Sequence, residues 1–309
     1  MRLVNVIAVI NQKGGVGKTT SVANLGAALA ARGYRVCLID MDPQSHLTLH
    51  MGVEPGSPDL SIYDVLADGV PIERAAITLP GRDRLTLVPS VIDLAAAEVE
   101  LAGTVGREQI LRERLGEAGD LADYVLIDCP PSLSILTLNS LAAAQNVLIP
   151  LQPHFLALQG LGKLLETIRL VQQRINIALR VAGVILCMYD STTKLTGEVV
   201  AEVTEFFGAA RGSRDPWAAA TIFQAAIRRN IKLAECPSHG MTIAEYAPGS
   251  RGAEDYDALA GELLAYFNPS VAMPPPVEPV APPLPDQPPA TEPVDSVAQP
   301  GLGDLDGAQ

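Results

Sequence analysis

Eight consecutive residues, Lys13-Gly14-Gly15-Val16-Gly17-Lys18-Thr19-Thr20, set the terms for everything around them. They follow an apolar run, residues 4–10, in which Asn5 is the one polar residue, and open onto an Ala- and Leu-rich stretch, residues 18–32, that stops before Gly33. A run that is apolar at successive positions, as from Val6 to Ile10, suits a parallel strand covered on both faces. The stretch after the loop has helical spacing, with Gly33 as its natural stop. Between strand and helix the glycines free the backbone to turn its N–H groups inward, and the positive end of the helix adds to the pull on an anion. The sequence therefore predicts a phosphate-binding loop. Lys18 is placed to reach the outer phosphates of a nucleotide, and Thr19 offers a hydroxyl to Mg²⁺. The usual pattern G-x-x-x-x-G-K-[ST] fails at its first position, where Gln12 stands, and Lys13 supplies an additional lysine.

Two further segments end in carboxylates. Residues 35–40 read as a strand running into Asp40-Met41-Asp42-Pro43-Gln44. Two acids two residues apart on a strand face the same way, which is costly beside a phosphate loop unless a metal or water uses them. Asp42 is the candidate for positioning an attacking water and Asp40 for a place behind the metal. Tyr124-Val125-Leu126-Ile127-Asp128 is an apolar strand ending in an acid, the arrangement that holds Mg²⁺ directly or through water. Alone that pattern is weak, but with the loop and the Asp40/Asp42 pair it is strong.

Strand-like stretches (4–10, 35–40, 85–88, 124–128, 146–151, 181–188) alternate with helix-like ones (18–32, 107–115, 134–143, 158–174, 195–207, 253–267). Such alternation implies α/β architecture, a mostly parallel twisted sheet with helices on both faces. One folded domain is expected over residues 1–267. From residue 268 to 309 the chain holds 12 of its 25 prolines and six acidic residues but neither Lys nor Arg. That composition predicts a solvated, disordered, proline-rich acidic tail. The net charge of −13 falls to −7 without it, so the body can still carry a local basic strip. The apolar runs are too short to span a bilayer, and the first residues lack the features of a secretion signal. Cys37, Cys129, Cys187 and Cys236 are widely spaced and read as small buried hydrophobes in a reducing, cytoplasmic setting. His46 and His50 could share a helix face, but no Cys or acid completes a metal pattern. His154 and His239 read as packed or hydrogen-bonded.

Taken in order, these segments resemble the ParA/Soj family of chromosome and plasmid partitioning ATPases. The resemblance rests on residues 13–20, Asp40 to Gln44, Ile127-Asp128-Cys129-Pro130-Pro131-Ser132, and a late segment. That segment is Arg229-Asn230-Ile231-Lys232-Leu233-Ala234-Glu235-Cys236-Pro237-Ser238-His239-Gly240, followed by Ser250-Arg251-Gly252-Ala253-Glu254. The extra lysine marks the wider ParA/MinD class and the late segment narrows it to ParA, in the small form that lacks an N-terminal DNA-reading domain. The resemblance implies a nucleotide switch. ATP with Mg²⁺ is held by residues 13–20 and sandwiched in a homodimer, where Lys13 crosses to the other protomer's phosphates. The dimer binds DNA without sequence preference, and a ParB-like partner stimulates hydrolysis and release, in the cytoplasm and on the nucleoid. For the DNA surface it points to arginines near the late segment, where Arg229 matches one position, and Lys194, Arg228, Arg229, Lys232 and Arg251 together could make a strip for phosphate contacts. Here Arg228 replaces a proline usual in the family, and Thr192 stands where some members carry another arginine.

Two neighbouring readings stay open. A scaffold that positions a protein cargo on the nucleoid fits the same active-site residues. A MinD-like ATPase that associates with membrane would need a basic amphipathic C-terminal helix, whereas this chain ends in prolines and acids. A nitrogenase-type iron protein would need cysteines placed for a shared cluster, which Cys129 alone does not supply.

Overall fold

The computed structural model describes residues 4–155 and 157–268. The strands among them are β1 (Asn5–Val9), β2 (Val36–Asp40), β3 (Ile77–Thr78), β4 (Leu85–Val88), β5 (Tyr124–Asp128), β6 (Asn146–Leu151), β7 (Arg180–Tyr189), β8 (Thr221–Ile222) and β9 (Ile227–Arg228). They lie in the order β3-β4-β2-β5-β1-β6-β7-β8, with β9 beside β7. Every pairing is parallel except that of β3 with β4. The helices are α1 (Lys18–Ala31), α2 (His46–His50), α3 (Ile62–Ala67), α4 (Ile72–Ala75), α5 (Leu94–Glu100), α6 (Ile110–Glu117), α7 (Ile135–Ala143), α8 (Ala157–Arg174), α9 (Lys194–Ala209), α10 (Ile231–Glu235), α11 (Ile243–Tyr246) and α12 (Arg251–Phe267).

Continuous apolar strands are what a sheet covered on both faces requires, because successive side chains point to opposite sides. On β1, Val6 and Ala8 join one core while Ile7 and Val9 join the other. On β2, Cys37 and Ile39 take the first face and Val36 and Leu38 the second. The first core is roofed by residues of α3, α5, α7, α8 and α9. Residues of α1, α2, α10, α11 and α12 roof the second. At roughly 1.5–3 kcal/mol for each fully buried aliphatic side chain, these two layers hold the sheet rigid. Parallel strands put their C-terminal ends on one edge, and that edge gathers the predicted carboxylates and the glycine loop.

Each long strand expected from the apolar runs is present. α6 begins at Ile110, three residues later than the periodicity suggests, because Gly106 turns the chain with a φ of +74° and accepts a hydrogen bond from Gln109 N. The tail expected from residue 268 lies, beyond Asn268, outside the described residues.

One joint outside the sheet brings two glycines back to back. Gly52 (φ +81°), just past α2, meets Gly240 (φ +61°), which ends the 3₁₀ turn Cys236–His239. A Cβ on Gly240 would stand 2.6 Å from Gly52 Cα, and one on Gly52 would stand 3.0 Å from the Gly240 carbonyl oxygen. Arg82 ties the same joint, donating to Met51 O and Gly240 O at 3.0 Å each and pairing with Glu245.

Candidate functional site

The glycine loop is shaped from below by Asn11. Its Nδ2 donates to Pro150 O at 2.7 Å, and its Oδ1 accepts from Lys13 N at 3.0 Å. Gly15 and Gly17 then take left-handed φ values of +72° and +95°, which a side chain would strain. Space above Gly14 and Gly15 is open within 4 Å of where a Cβ would sit. Gly17 caps α1 without a side-chain hydrogen bond, and the first turn holds no acidic residue. The unpaired N–H groups of that turn therefore face the loop, ready for an anion. Lys18 is buried and donates to Lys13 O at 3.4 Å, so its charge lies under its own loop. Behind the loop, Ser21 Oγ lies 3.2 Å from Tyr256 OH on α12.

Lys13 behaves differently from Lys18. Its Nζ turns outward to His154 Nε2, at 2.5 Å. Desolvation and the Lys13 charge hold His154 below the usual imidazole range, so the neutral ring accepts from the lysine.

The carboxylates converge as strand register requires: Asp40 ends β2 opposite Asp128 at the end of β5. Thr19 Oγ1 donates to Asp128 Oδ2 at 2.7 Å. Asp128 Oδ1 is buried without a hydrogen-bond partner. An orphaned carboxylate oxygen is expensive to bury, and one beside a threonine hydroxyl at a phosphate loop fits a divalent cation. The residues expected to hold Mg²⁺ therefore suit it, with a distinction between the two acids. Both oxygens of Asp40 are already engaged, Oδ1 by Asp42 N at 3.1 Å and Oδ2 by Thr48 N and Oγ1 at 2.8 and 2.7 Å. Asp40 acts on its neighbours, and Asp128 is the acid with an open oxygen. Burial pushes Asp40 up to about 6 and raises Asp128 well above the carboxylate range, with the Asp40 charge adding to the second shift.

Asp42 lies half-buried just past β2 and accepts from Gln44 N at 3.0 Å through Oδ1. It lines a cleft of about 1650 Å³ with Gly14, Gly15, Gly17, Lys18, Thr19 and Thr20. That volume exceeds the usual small-ligand range and takes a nucleotide with room to spare. The cleft continues past Met188, Arg228, Arg229, Asn230 and Pro237, which bring the late segment to the same opening. Asn11, Ser21, Thr48, Ser90 and Tyr256 were not singled out from the sequence; ordinary polar residues carry no spacing signature.

The basic strip is only partly as expected. Arg228 is a strut: its guanidinium pairs with Asp255 at 2.5 Å and Glu254 at 3.2 Å, and its backbone N–H also donates to Asp255. Asp255 is nearly buried, so Arg228 neutralises an internal acid and has little charge left for a phosphate. Lys232 pairs with Glu235 at 2.9 Å and lies over the Tyr246 ring. Lys194, almost fully exposed, has a loose contact with Glu198 at 3.6 Å. Arg229 and Arg251 are exposed and form no ion pair among the described residues. His239 stacks on Tyr246 with ring centres 4.9 Å apart. His46 and His50 share α2, and no group of three His, Cys, Asp or Glu able to hold a metal occurs among the described residues.

A family model described as an AAA domain matches residues 4–181. The chain is 46% identical over 256 residues to the chromosome-partitioning ATPase Soj of Treponema pallidum, covering 83% of this chain and 95% of that one. With the sporulation initiation inhibitor protein Soj of Bacillus subtilis it shares 44% identity over 263 residues, 84% of this chain and 98% of that one. Among solved structures, a Mycobacterium smegmatis protein named cobyrinic acid a,c-diamide synthase, with bound ADP and magnesium, superposes with a TM-score of 0.72 at 38% identity. The match covers 88% of this chain and 98% of that one. Strand order, loop, paired carboxylates and relatives agree, and the chain belongs to the Soj/ParA family of chromosome-partitioning P-loop ATPases.

Proposed function

We propose that this chain binds ATP with Mg²⁺ in the loop cleft, pairs with a second copy around the nucleotide, and in that state binds DNA without sequence preference. A ParB-like partner then stimulates hydrolysis to ADP and phosphate and releases the DNA, so that the protein works on the nucleoid in the cytoplasm.

The observation that carries this reading is the opposite placement of the two loop lysines. Lys18 lies under its own loop, whereas Lys13 turns away from the cleft toward His154. A lysine in that position adds little to phosphates on its own chain and is free to reach across to those of a second copy. Backbone N–H groups from Gly14 to Thr20 would cradle the phosphates, Val16 packing the loop onto the core. Thr19 and Asp128 would hold the Mg²⁺, which when bound neutralises charge on the outer phosphates. Asp42, fixed at the rim, would orient the attacking water. Arg229, Arg251 and Lys194 would carry the phosphate-backbone contacts, with Lys232 weakened by Glu235. Among the described residues no helix is long and apolar enough to cross a membrane, and the MinD-like reading gains nothing from the residues seen. An amide-forming activity, after the name of the M. smegmatis structure, gains no support from a cysteine nucleophile. All four thiols are buried, and desolvation pushes them up to about 11 or 12.

A gel shift with Asp42→Ala protein, with and without ATP across a salt series, tests the proposal. Binding to any duplex should require ATP and weaken steeply with salt, at a slope near −0.9 per phosphate contact. Equal affinity in both nucleotide states would sink the coupling. Absence of binding at low salt would favour a cargo scaffold.

A further inference from the structure

We infer that Thr48 and Ser90 are positioning residues for hydrolysis, closing a buried hydrogen-bond ring that fixes the peptide carrying Asp42. The inference rests on the reading of Asp42 as the group that orients water.

The ring can be followed atom by atom. Asp42 N donates to Asp40 Oδ1 at 3.1 Å. The other oxygen of Asp40 accepts from Thr48 N at 2.8 Å and from Thr48 Oγ1 at 2.7 Å. Thr48 Oγ1 in turn accepts from Ser90 N at 2.9 Å, and Ser90 Oγ donates to Asp42 O at 2.8 Å. Asp42 is thus gripped at both its N–H and its C=O, by groups from the end of β2, from α2, and from the connection after β4. Asp40, Thr48 and Ser90 have no exposed surface, so no water can substitute for a lost bond, and each hydroxyl has one orientation that satisfies its neighbours.

The rim of a nucleotide cleft is otherwise loop, where an acid would swing freely. Orientation is where a hydrolase gains much of its rate, and a shift of about 1 Å can cost on the order of a hundredfold. The ring explains how a half-buried residue outside any helix or strand is held to that tolerance. Asp40 also gains a function from it, since its carboxylate is the hub that joins Thr48 to the Asp42 backbone.

The test compares Thr48→Val, Thr48→Ser, Ser90→Ala and Asp42→Ala in the full chain. Phosphate release gives kcat and KM, a non-hydrolysable ATP analogue gives affinity, and a melt gives Tm. Thr48→Val and Ser90→Ala should lower kcat about tenfold or more while analogue affinity stays within about twofold. Thr48→Ser, which restores the hydroxyl, should return kcat to within about threefold of the parent. If Thr48→Val does not fold, Ser90→Ala decides. Parental kcat in Ser90→Ala and Thr48→Val beside an inactive Asp42→Ala would overturn the ring's role and leave that of Asp42 intact. A loss that falls equally on analogue affinity, or that Thr48→Ser does not recover, would overturn it too. Normal turnover by Asp42→Ala would remove the water-orienting reading itself.

Discussion

Asp40 and Asp128 end adjacent parallel strands in direct register, two fully buried carboxylates side by side with one oxygen of the pair unpartnered. Neither finds a buried cation strong enough to offset its desolvation; Asp40 is raised to about 6, and Asp128 is raised well above the carboxylate range by burial and the Asp40 charge. A carboxyl whose folded pKa lies above its unfolded value stabilises the fold through its bound proton. That contribution is whole below about 4 and is lost as pH rises through the folded value. In metal-free protein the pair therefore works against the fold at neutral pH.

Asp128→Asn should accordingly melt higher than the parent protein without nucleotide or metal at pH 8, by about 3 °C or more. The gap should shrink toward pH 5, and the variant should have lost Mg²⁺-dependent phosphate release. Melts at the two pH values check this; a variant less stable at pH 8 would show that the acid is better solvated than its burial implies.

His50 titrates in the opposite sense. Burial lowers it to about 4, its Nε2 has no partner, and it hydrogen-bonds to the Met241 backbone. A depressed histidine contributes stability that is present above about 6.5 and lost as pH falls through the folded value. Relative to His50→Asn, the parent should lose about 2–3 kcal/mol between pH 7 and 4.5, read by urea unfolding. Parallel curves for the two proteins would refute it.

The two adjacent arginines should separate cleanly. Arg228→Ala strands the nearly buried Asp255 and should cost on the order of 2 kcal/mol of stability. Arg229→Glu should leave Tm nearly unchanged, keep ATP-dependent dimerisation and lose DNA binding. Melting and a gel shift on both proteins check the assignment, and a stable Arg228→Ala that loses only DNA would restore Arg228 to the strip.

Lys18→Ala should abolish ATP binding, because the phosphates lose the charge fixed beneath them. Lys13→Ala should still bind ATP but fail to dimerise on it. Equilibrium dialysis and size-exclusion chromatography distinguish the two, and an ATP-dependent Lys13→Ala dimer would remove the cross-protomer role.

How much of this was legible beforehand depended on how far apart the cooperating residues lie in the chain. The loop at residues 13–20 is contiguous, and the strands ending in Asp40 and Asp128 announce themselves by unbroken apolar runs. Their neighbourhood followed from topology, since parallel strands share an edge. Thr48 and Ser90 are separated by 42 positions and interact only because α2 folds back over the end of β2. Nothing periodic marks either one. α2, α4, α10 and α11 span at most five residues each, too few to show a helical repeat. The basic strip rests on the resemblance at Arg229 and on residue type at its neighbours, and neither says which arginine faces an internal acid. Asp255, one residue before the buried Tyr256 on α12, decided that for Arg228.

The back-to-back contact of Gly52 and Gly240 bears on how such a chain can vary. Every amino-acid change from glycine adds at least one carbon, and at either position that carbon meets the other residue's main chain at 3.0 Å or less. The opposing atoms are backbone, so no rotamer can swing aside, and the positive φ values penalise the newcomer again. Neither codon has a harmless neighbour, and a change at one cannot be rescued by a smaller residue at the other, since none exists. The stretch that follows Asp42 and the stretch that follows Arg229 thus meet in a joint with no spare volume, where a side chain on either glycine would push the two main chains apart.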